Sequence, residues 1–239
     1  MNLKRGLVAV SLLAVSLPTV ASNIDNLQAL SQPEFRLLSE DLGAALSYKP
    51  LTPTTPLGLT GFDVGIAVTD TKLENSAVFA KAGADISNAA VPSLRVHKGL
   101  PFGIDVGAMV GAVPGTNIRL YGGELRYAIV SGGVAMPAIG VRGSYTKLTG
   151  VDRLDFDTKG LDLSISKGFA MFTPYAGVGR VWAASTPKSI PTSTPTKESL
   201  SMSKVFVGIN MNFGLVNLAF EGDRTGEDSS YGAKLGFRF

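Results

Sequence analysis

Residue types that commonly carry chemistry are scarce in this chain of 239 residues. It contains one histidine, His97, and no cysteine, which excludes disulfides and thiolate-bound metals. Histidine-dependent hydrolysis also needs a positioned serine or aspartate. His97 stands beside Lys98 and just before a predicted short turn, a position that indicates a rim residue rather than a general base. We therefore predict no enzymatic activity and no cofactor.

Acidic residues are the remaining candidates for a metal site, and they fall in two predicted loops. These residues are Asp152, Asp155 and Asp157 in one loop, and Glu227 and Asp228 in another. Carboxylates in such loops hold Ca²⁺ weakly. A solvated acidic loop explains them better, so no metal site is predicted.

The N-terminus has the pattern of a secretory signal peptide over residues 1–22. Lys4 and Arg5 precede an apolar run, and small residues follow it at Ala21 and Ser22. Removing this segment lowers the formal charge from +3 to +1. The positive net charge of the whole chain therefore gives no support to nucleic-acid binding.

Beyond this segment, apolar and polar residues alternate with a period of two. Tyr231, Ala233, Leu235, Phe237 and Phe239 share one face of the final strand, and Val216, Leu218 and Phe220 share one face of the strand before it. Strands of about ten residues, joined alternately by short and long connections, are typical of transmembrane barrels. The pattern predicts an all-β, antiparallel transmembrane β-barrel, with a secreted β-sandwich as the alternative.

Ten strands are predicted, and an even number keeps both ends of the barrel in the periplasm. They lie near residues 59–70, 91–99, 103–113, 117–129, 134–148, 153–167, 171–183, 199–213, 215–223 and 229–239. Twelve strands are the alternative if Gly43 to Lys49 and Ser76 to Ala82 both join the wall. Apolar residues change face around Gly122-Gly123 and around Thr158 to Gly160, which predicts a β-bulge at each place.

The last strand resembles the C-terminal strand of bacterial outer-membrane β-barrel proteins. Phe239, with Tyr231, Leu235 and Phe237 at alternate preceding positions, is similar to the signal that those proteins present to the outer-membrane barrel assembly machinery. The stretches 98–103 (KGLPFG) and 174–179 (PYAGVG) are similar to an uncharacterised proteobacterial outer-membrane β-barrel family.

This resemblance implies the cell outer membrane as the location, with outer-membrane lipid and the assembly machinery as partners. It brings no assigned activity, and the oligomeric state stays open. Apolar side chains such as Leu161, Leu163 and Leu218 are expected to meet lipid. Five tyrosines are expected near the membrane interfaces: Tyr121, Tyr127, Tyr145, Tyr175 and Tyr231.

A helical pattern occupies residues 23–50, ahead of the barrel region 51–239. Ser31 and Glu34 form a predicted capping box, and Phe35, Leu38 and Leu42 follow at helical spacing. We expect a short helix that either lies in the barrel mouth as a plug or rests against the periplasmic rim.

Directing the polar faces inward places twelve charged residues in the lumen. They are Asp63, Arg95, Asp105, Glu124, Arg126, Arg142, Asp162, Lys204, Glu221, Asp223, Lys234 and Arg238. Equal numbers of acids and bases favour mutual pairing in a narrow interior over an ion-selective channel. We predict an outer-membrane barrel with a structural or interaction role. The alternative is a channel or transporter for small solutes or hydrophobic compounds.

Overall fold

A computed structural model describes residues 24, 26–112, 118–188 and 195–239, and these form a closed antiparallel barrel. Its strands are β1 (Phe62–Lys72), β2 (Asn88–Gly99), β3 (Ile104–Ala112), β4 (Arg119–Ser131), β5 (Ala138–Thr149), β6 (Leu154–Ser166), β7 (Phe172–Pro187), β8 (Glu198–Phe213), β9 (Val216–Thr225) and β10 (Asp228–Arg238). Each strand pairs with its sequence neighbours, and β1 pairs with β10 to close the barrel. The predicted ten-stranded barrel is confirmed. The predicted signal peptide lies outside the described residues.

Neither of the two described α-helices forms part of the barrel wall, so the twelve-strand alternative is wrong. Helix α1 spans Gln32–Leu46 and helix α2 spans Ser76–Lys81, with short 3-10 turns at Leu27–Ala29 and Pro101–Gly103. The stretch from Gly43 therefore completes a helix, and the stretch from Ser76 is a helix in the β1–β2 connection. No helix among the described residues is long and apolar enough to cross a membrane.

The two ends of the barrel differ in their connections. Short turns at 100–103, 167–171 and 214–215 share one end with the start of β1 and the end of β10. The connection 73–87, the end of β7 and the start of β8 lie at the opposite end. Outer-membrane barrels carry short turns on the periplasmic side. We therefore name the end with the short turns the inner end and the opposite end the outer end.

The interior changes character from the outer end to the inner end. Near the outer end, α1 buries Phe35 and Leu38 in an apolar core that includes the strand residues Leu120, Phe156 and Val181. Towards the inner end, the inward positions of the same strands carry charged and hydroxyl side chains. A helix with an apolar stripe needs apolar wall residues around it, and Leu120, Phe156 and Val181 supply them at the level of α1.

This change of interior explains the reversals of apolar face, and both predicted bulges are wrong. Leu120 and Glu124 both point inward on β4, and the pairing with β3 runs without interruption from Arg119 to Tyr127. The pairing of β6 with β7 is equally continuous over the whole strand. A register shift on β4 does occur, but at Ala128/Val130. The side chains alternate regularly while the environment on the inward side changes.

The outward face of the barrel carries an apolar band. Exposed members include Ile66, Leu94, Leu125, Leu161, Leu163, Ile165, Val178, Val207, Phe220 and Leu235. The band continues onto the inner turns, where Phe102, Val134 and Phe169 are exposed. Such a band is the lipid-facing surface of a membrane barrel. Four of the five predicted interface tyrosines face outward, but Tyr175 is buried in the lumen, so its prediction is wrong.

Candidate functional site in the barrel lumen

Residues 47–61, which we call the lumenal segment, run through the barrel from the outer end to the inner end. The segment starts where α1 ends and is buried from Ser47 to Thr54. At the inner end, the Lys98 ammonium donates to the carbonyl of Leu59 at 2.7 Å. The wall starts only at Phe62. The part of the chain inside the barrel thus extends past residue 50, and the helix lies in the outer mouth.

Helix α1 is held in that mouth by polar contacts with the outer loops. The Glu34 carboxylate accepts the Ser31 backbone N–H at 2.7 Å and binds the Lys81 ammonium at 2.8 Å. These donors lower the pKa of Glu34 to about 2, with the Lys81 hydrogen bond as the largest cause. The Asp41 carboxylate accepts the Asn75 backbone N–H at 2.8 Å, although burial raises the pKa of Asp41.

Charged wall residues hold the main chain of the outer part of the lumenal segment. The Lys204 ammonium donates to the carbonyl of Tyr48 at 2.6 Å, and the Arg95 guanidinium donates to the carbonyl of Lys49. The Glu221 carboxylate accepts the backbone N–H of Leu51 at 2.8 Å. Buried backbone groups need partners, and here charged side chains of the barrel supply them.

The inner part of the segment is held in the same way. Arg126 donates to the carbonyl of Pro53 at 2.8 Å, and Arg238 donates to the carbonyl of Thr55 at 3.4 Å. The Asp105 carboxylate accepts the backbone N–H of Leu57 at 3.1 Å. Six of the twelve predicted lumen charges therefore bind backbone atoms of residues 48–57.

All twelve predicted charges lie on the inward face, and eleven are classed as buried. The exception is Arg238, whose side chain is only 10% exposed. Near the inner end, Asp63 binds the Lys234 ammonium at 2.7 Å and lies 3.3 Å from the Arg238 guanidinium. This cluster joins β1 to β10, the two strands that close the barrel.

A second cluster crosses four adjacent strands with alternating charge. Arg126 lies 2.7 Å from Asp105 and 3.3 Å from Glu124, and Arg142 lies 3.7 Å from Glu124 and contacts Asp162. Buried charges of opposite sign stabilise one another only when such contacts are close. The row from β3 to β6 gives each member at least one partner of opposite charge.

Arg95, Lys204 and Glu221 have no oppositely charged group within ion-pair distance among the described residues. Their main partners are the backbone groups of the lumenal segment described above. Two aromatic rings add to this environment: the Arg95 guanidinium lies 5.4 Å from the centre of the Tyr48 ring, and the Lys204 ammonium lies 5.5 Å from that of Phe206. Such placements attract cations to the faces of the rings.

Three further residues of this lumen were missed or misplaced by the sequence interpretation. Lys49 binds the Asp223 carboxylate at 2.8 Å, so the segment supplies a charge of its own. Tyr175 donates to Glu221 at 2.8 Å. His97 is buried 3.3 Å from Glu124, and the rim position predicted for it is wrong. The sequence did contain a signal for this burial: His97 lies two residues after Arg95 on β2 and therefore shares its inward face.

The Tyr175 ring reaches Glu221 because it lies over a glycine of the neighbouring strand. Tyr175 pairs in register with Gly208, and a Cβ at that glycine would lie 2.3 Å from the ring. Phe206 covers Gly177 in the same manner. A side chain at either glycine would clash with the ring that covers it.

This arrangement offers little access for chemistry on a substrate. Tyr48, His97 and Glu124 are groups of the acid–base type, and the Tyr48 hydroxyl lies 3.4 Å from the His97 ring. All three are buried inside the barrel, and Tyr48 belongs to the lumenal segment itself. Within the described ranges, no three histidine or carboxylate side chains lie together as a metal site.

No protein-family model and no curated protein matches the chain. Among solved structures, the chain is similar to the N-terminal β-barrel domain of Pseudomonas aeruginosa OprF, with 15% identity, 76% of this chain and 99% of that chain covered, and a TM-score of 0.37. It is similar to the Escherichia coli outer membrane protease OmpT, with 11% identity, 75% and 96% covered, and a TM-score of 0.36. It is also similar to the translocator domain of Neisseria meningitidis NalP, with 10% identity, 84% of this chain and 94% of that chain covered, and a TM-score of 0.38. The closed antiparallel barrel of this chain follows from its own strand pairing.

Proposed function

We propose that this outer-membrane barrel is closed by its own lumenal segment and serves a structural or interaction role without enzymatic activity. The observation that carries the proposal is the set of six wall charges bound to backbone atoms of residues 48–57. A steady ion path needs hydrated charges along an open route. Here the charges are engaged by protein groups, which favours a filled barrel.

The outer end is the proposed interaction surface. Helix α1 fills the mouth and is tied to two connections, to β1–β2 through Lys81 and to β7–β8 through a hydrogen bond of 2.8 Å between the Thr196 N–H and Gln32. These bonds make one surface from three separate parts of the chain. Since loops on a rigid scaffold are the usual carriers of recognition, we assign the interaction role to this end.

Conductance in planar bilayers tests the closed lumen. We expect no steady conductance from the full chain. Arg126→Ala should lower the free energy of unfolding by about 3–5 kcal/mol, because Asp105 would lose its buried ion-pair partner and Glu124 would lose one of its partners. Arg224 faces outward and is exposed, so Arg224→Ala is the matched control and should change little. A wild-type pore with a defined reversal potential would contradict the proposal.

The second candidate is a small-solute channel that opens when the lumenal segment moves. The polar contacts of its inner part favour this candidate, since the Thr54 hydroxyl lies 2.9 Å from the Ser164 hydroxyl and Ser166 binds the Thr55 N–H at 3.0 Å. Contacts of this kind can be exchanged for water at modest cost.

A crosslink separates the two candidates, because the chain has no cysteine of its own. In Thr54→Cys/Ser164→Cys, oxidation should fix the segment to β6. A channel predicts conductance that appears only after reduction. A closed barrel predicts none in either state, and either single variant controls for reduction itself.

The C-terminal strand is the proposed assembly signal, with the barrel assembly machinery and outer-membrane lipid as partners. Tyr231, Leu235, Phe237 and Phe239 are all exposed on the outward face. Phe239 also closes the seam of the wall, because it exchanges two backbone hydrogen bonds with Phe62 at 2.8 and 3.0 Å. Deleting Phe239 should reduce the folded, heat-modifiable fraction in outer membranes more than Phe239→Tyr does. Equal folded fractions would contradict this role.

A further inference from the structure

Two cations on the outward face of the barrel, Lys159 on β6 and Arg180 on β7, stand side by side and are exposed. Lys159 pairs in register with Trp182, and Arg180 pairs with Leu161. Each cation is therefore the diagonal cross-strand neighbour of the other, a relationship that separates residues by about 7–8 Å. The two side chains can reach a single ligand.

The pair lies where the apolar band ends. On β6 the outward residues are apolar at Ile165, Leu163 and Leu161 and then change to Lys159 and Asp157. On β7 the same change occurs between Val178 and Arg180, and on β8 it occurs between Val205 and Ser203. Three adjacent strands thus place the membrane boundary at this level, on the side of the outer end.

Two aromatic rings flank Lys159 at this boundary. Tyr145 pairs with it from β5 and Trp182 pairs with it from β7, and the two rings are 44% and 42% exposed. Tyrosine and tryptophan prefer the level of lipid headgroups. The cations consequently face the headgroup region rather than the acyl chains or free solution.

The neighbouring acids leave these two cations without a carboxylate partner. Asp155 binds the ammonium groups of Lys147 and Lys188, and Asp157 pairs in register with Lys147. Within the described ranges, no carboxylate lies within ion-pair distance of Lys159 or Arg180. Arg180 donates a hydrogen bond to the Ser201 hydroxyl at 3.4 Å, which leaves its charge without a carboxylate. A local excess of positive charge therefore faces the outer leaflet.

We propose that Lys159 and Arg180, between Tyr145 and Trp182, bind a phosphorylated headgroup of an outer-leaflet lipid. Arginine recognises phosphate oxygens in pairs, lysine adds a compact charge, and both act strongly near a membrane surface. The rings would pack against the sugar or glycerol part of the lipid. This site is independent of whether the lumen is closed.

The chain offers a direct probe, because Trp182 is its only tryptophan. The full chain, folded in detergent micelles, is titrated with diphosphoryl lipid A while Trp182 emission is recorded. A saturable change is expected, and its midpoint should rise at least tenfold in Lys159→Gln/Arg180→Gln. Arg224→Gln, an exposed outward cation on β9, is the matched control and should keep the wild-type midpoint.

Each further comparison decides for or against the site. Fully dephosphorylated lipid A should leave the emission unchanged at the same concentrations, and inorganic phosphate should not compete at millimolar levels. An equal response to the dephosphorylated lipid, effective competition by inorganic phosphate, or a double variant with the wild-type midpoint would overturn the proposal. Heat-modifiable gel mobility confirms that each variant is folded, and the two single variants repeat the comparison if the double variant is not.

Discussion

The Glu221 carboxylate accepts the backbone N–H of Leu51 at 2.8 Å, deep inside the barrel. Leu51 has a φ of +50°, in the left-handed region, where a residue with a side chain costs about 1–2 kcal/mol. Its side chain is fully buried against Gly232, where a Cβ would come within 2.9 Å of a Leu51 methyl group. The wall therefore holds the unfavourable backbone conformation of Leu51 through the Glu221 carboxylate and through the space left by Gly232.

Removing this carboxylate should destabilise the barrel from within. Glu221→Ala leaves the Leu51 N–H and the Tyr175 hydroxyl without an acceptor, and we expect a loss of about 1–3 kcal/mol in the free energy of unfolding. Urea titration followed by gel mobility measures it. Glu221→Gln keeps an acceptor oxygen and should lose less than half as much. Equal losses for the two variants would mean that hydrogen bonding to the segment is not the cause.

A charge on the outward face should be costly near the middle of the membrane. Leu218 lies on that face of β9 beside the exposed Phe220. Leu218→Arg should lower stability by about 2–4 kcal/mol in lipid vesicles, while Leu218→Met should be nearly neutral. If the arginine variant is as stable as the methionine variant, this part of the wall does not face acyl chains.

Surface labelling tests which end of the barrel faces the outside of the cell. Arg36 is exposed on α1 at the outer end, and Val134 is exposed in an inner turn. In intact cells, a membrane-impermeant maleimide should label Arg36→Cys and leave Val134→Cys unlabelled until the envelope is opened. The cysteine-free parent is the blank. The reverse pattern would invert the orientation of the barrel.

Acid should release α1 from the outer loops at a pH below the usual range for carboxylates. The pKa of Glu34 is lowered from 4.5 to about 2. A lowered folded-state pKa gives stability that is complete above pH 4.5 and is lost as the pH falls towards 2. Hydrogen exchange of the α1 amides, corrected for intrinsic rates, should show this loss. Glu34→Gln should have weaker protection and lack this part of the pH dependence, and identical pH profiles would refute the assignment.

The outward face and the number of strands follow from the sequence because strand geometry is local. Successive side chains alternate between the two sides of a strand, so Leu235 and Phe237 were placed outward and Lys234 inward without any knowledge of their neighbours. Turn positions then gave the strand count, since short connections in an antiparallel barrel join adjacent strands. The helix of residues 32–46 was also readable, from its cap and its apolar spacing.

Only the tertiary structure decided what fills the barrel. Nothing local in residues 47–61 indicates that they run through a lumen, because their contacts are with wall residues such as Glu221, about 170 positions away in the chain. A separation of similar length hides the partner of Lys49, because Asp223 lies 174 positions away. The apolar surroundings of the inward-facing Leu120 come from a helix in another part of the chain. Alternation predicts whether a side chain faces inward or outward. What an inward side chain contacts depends on which distant segment of the chain fills the lumen beside it.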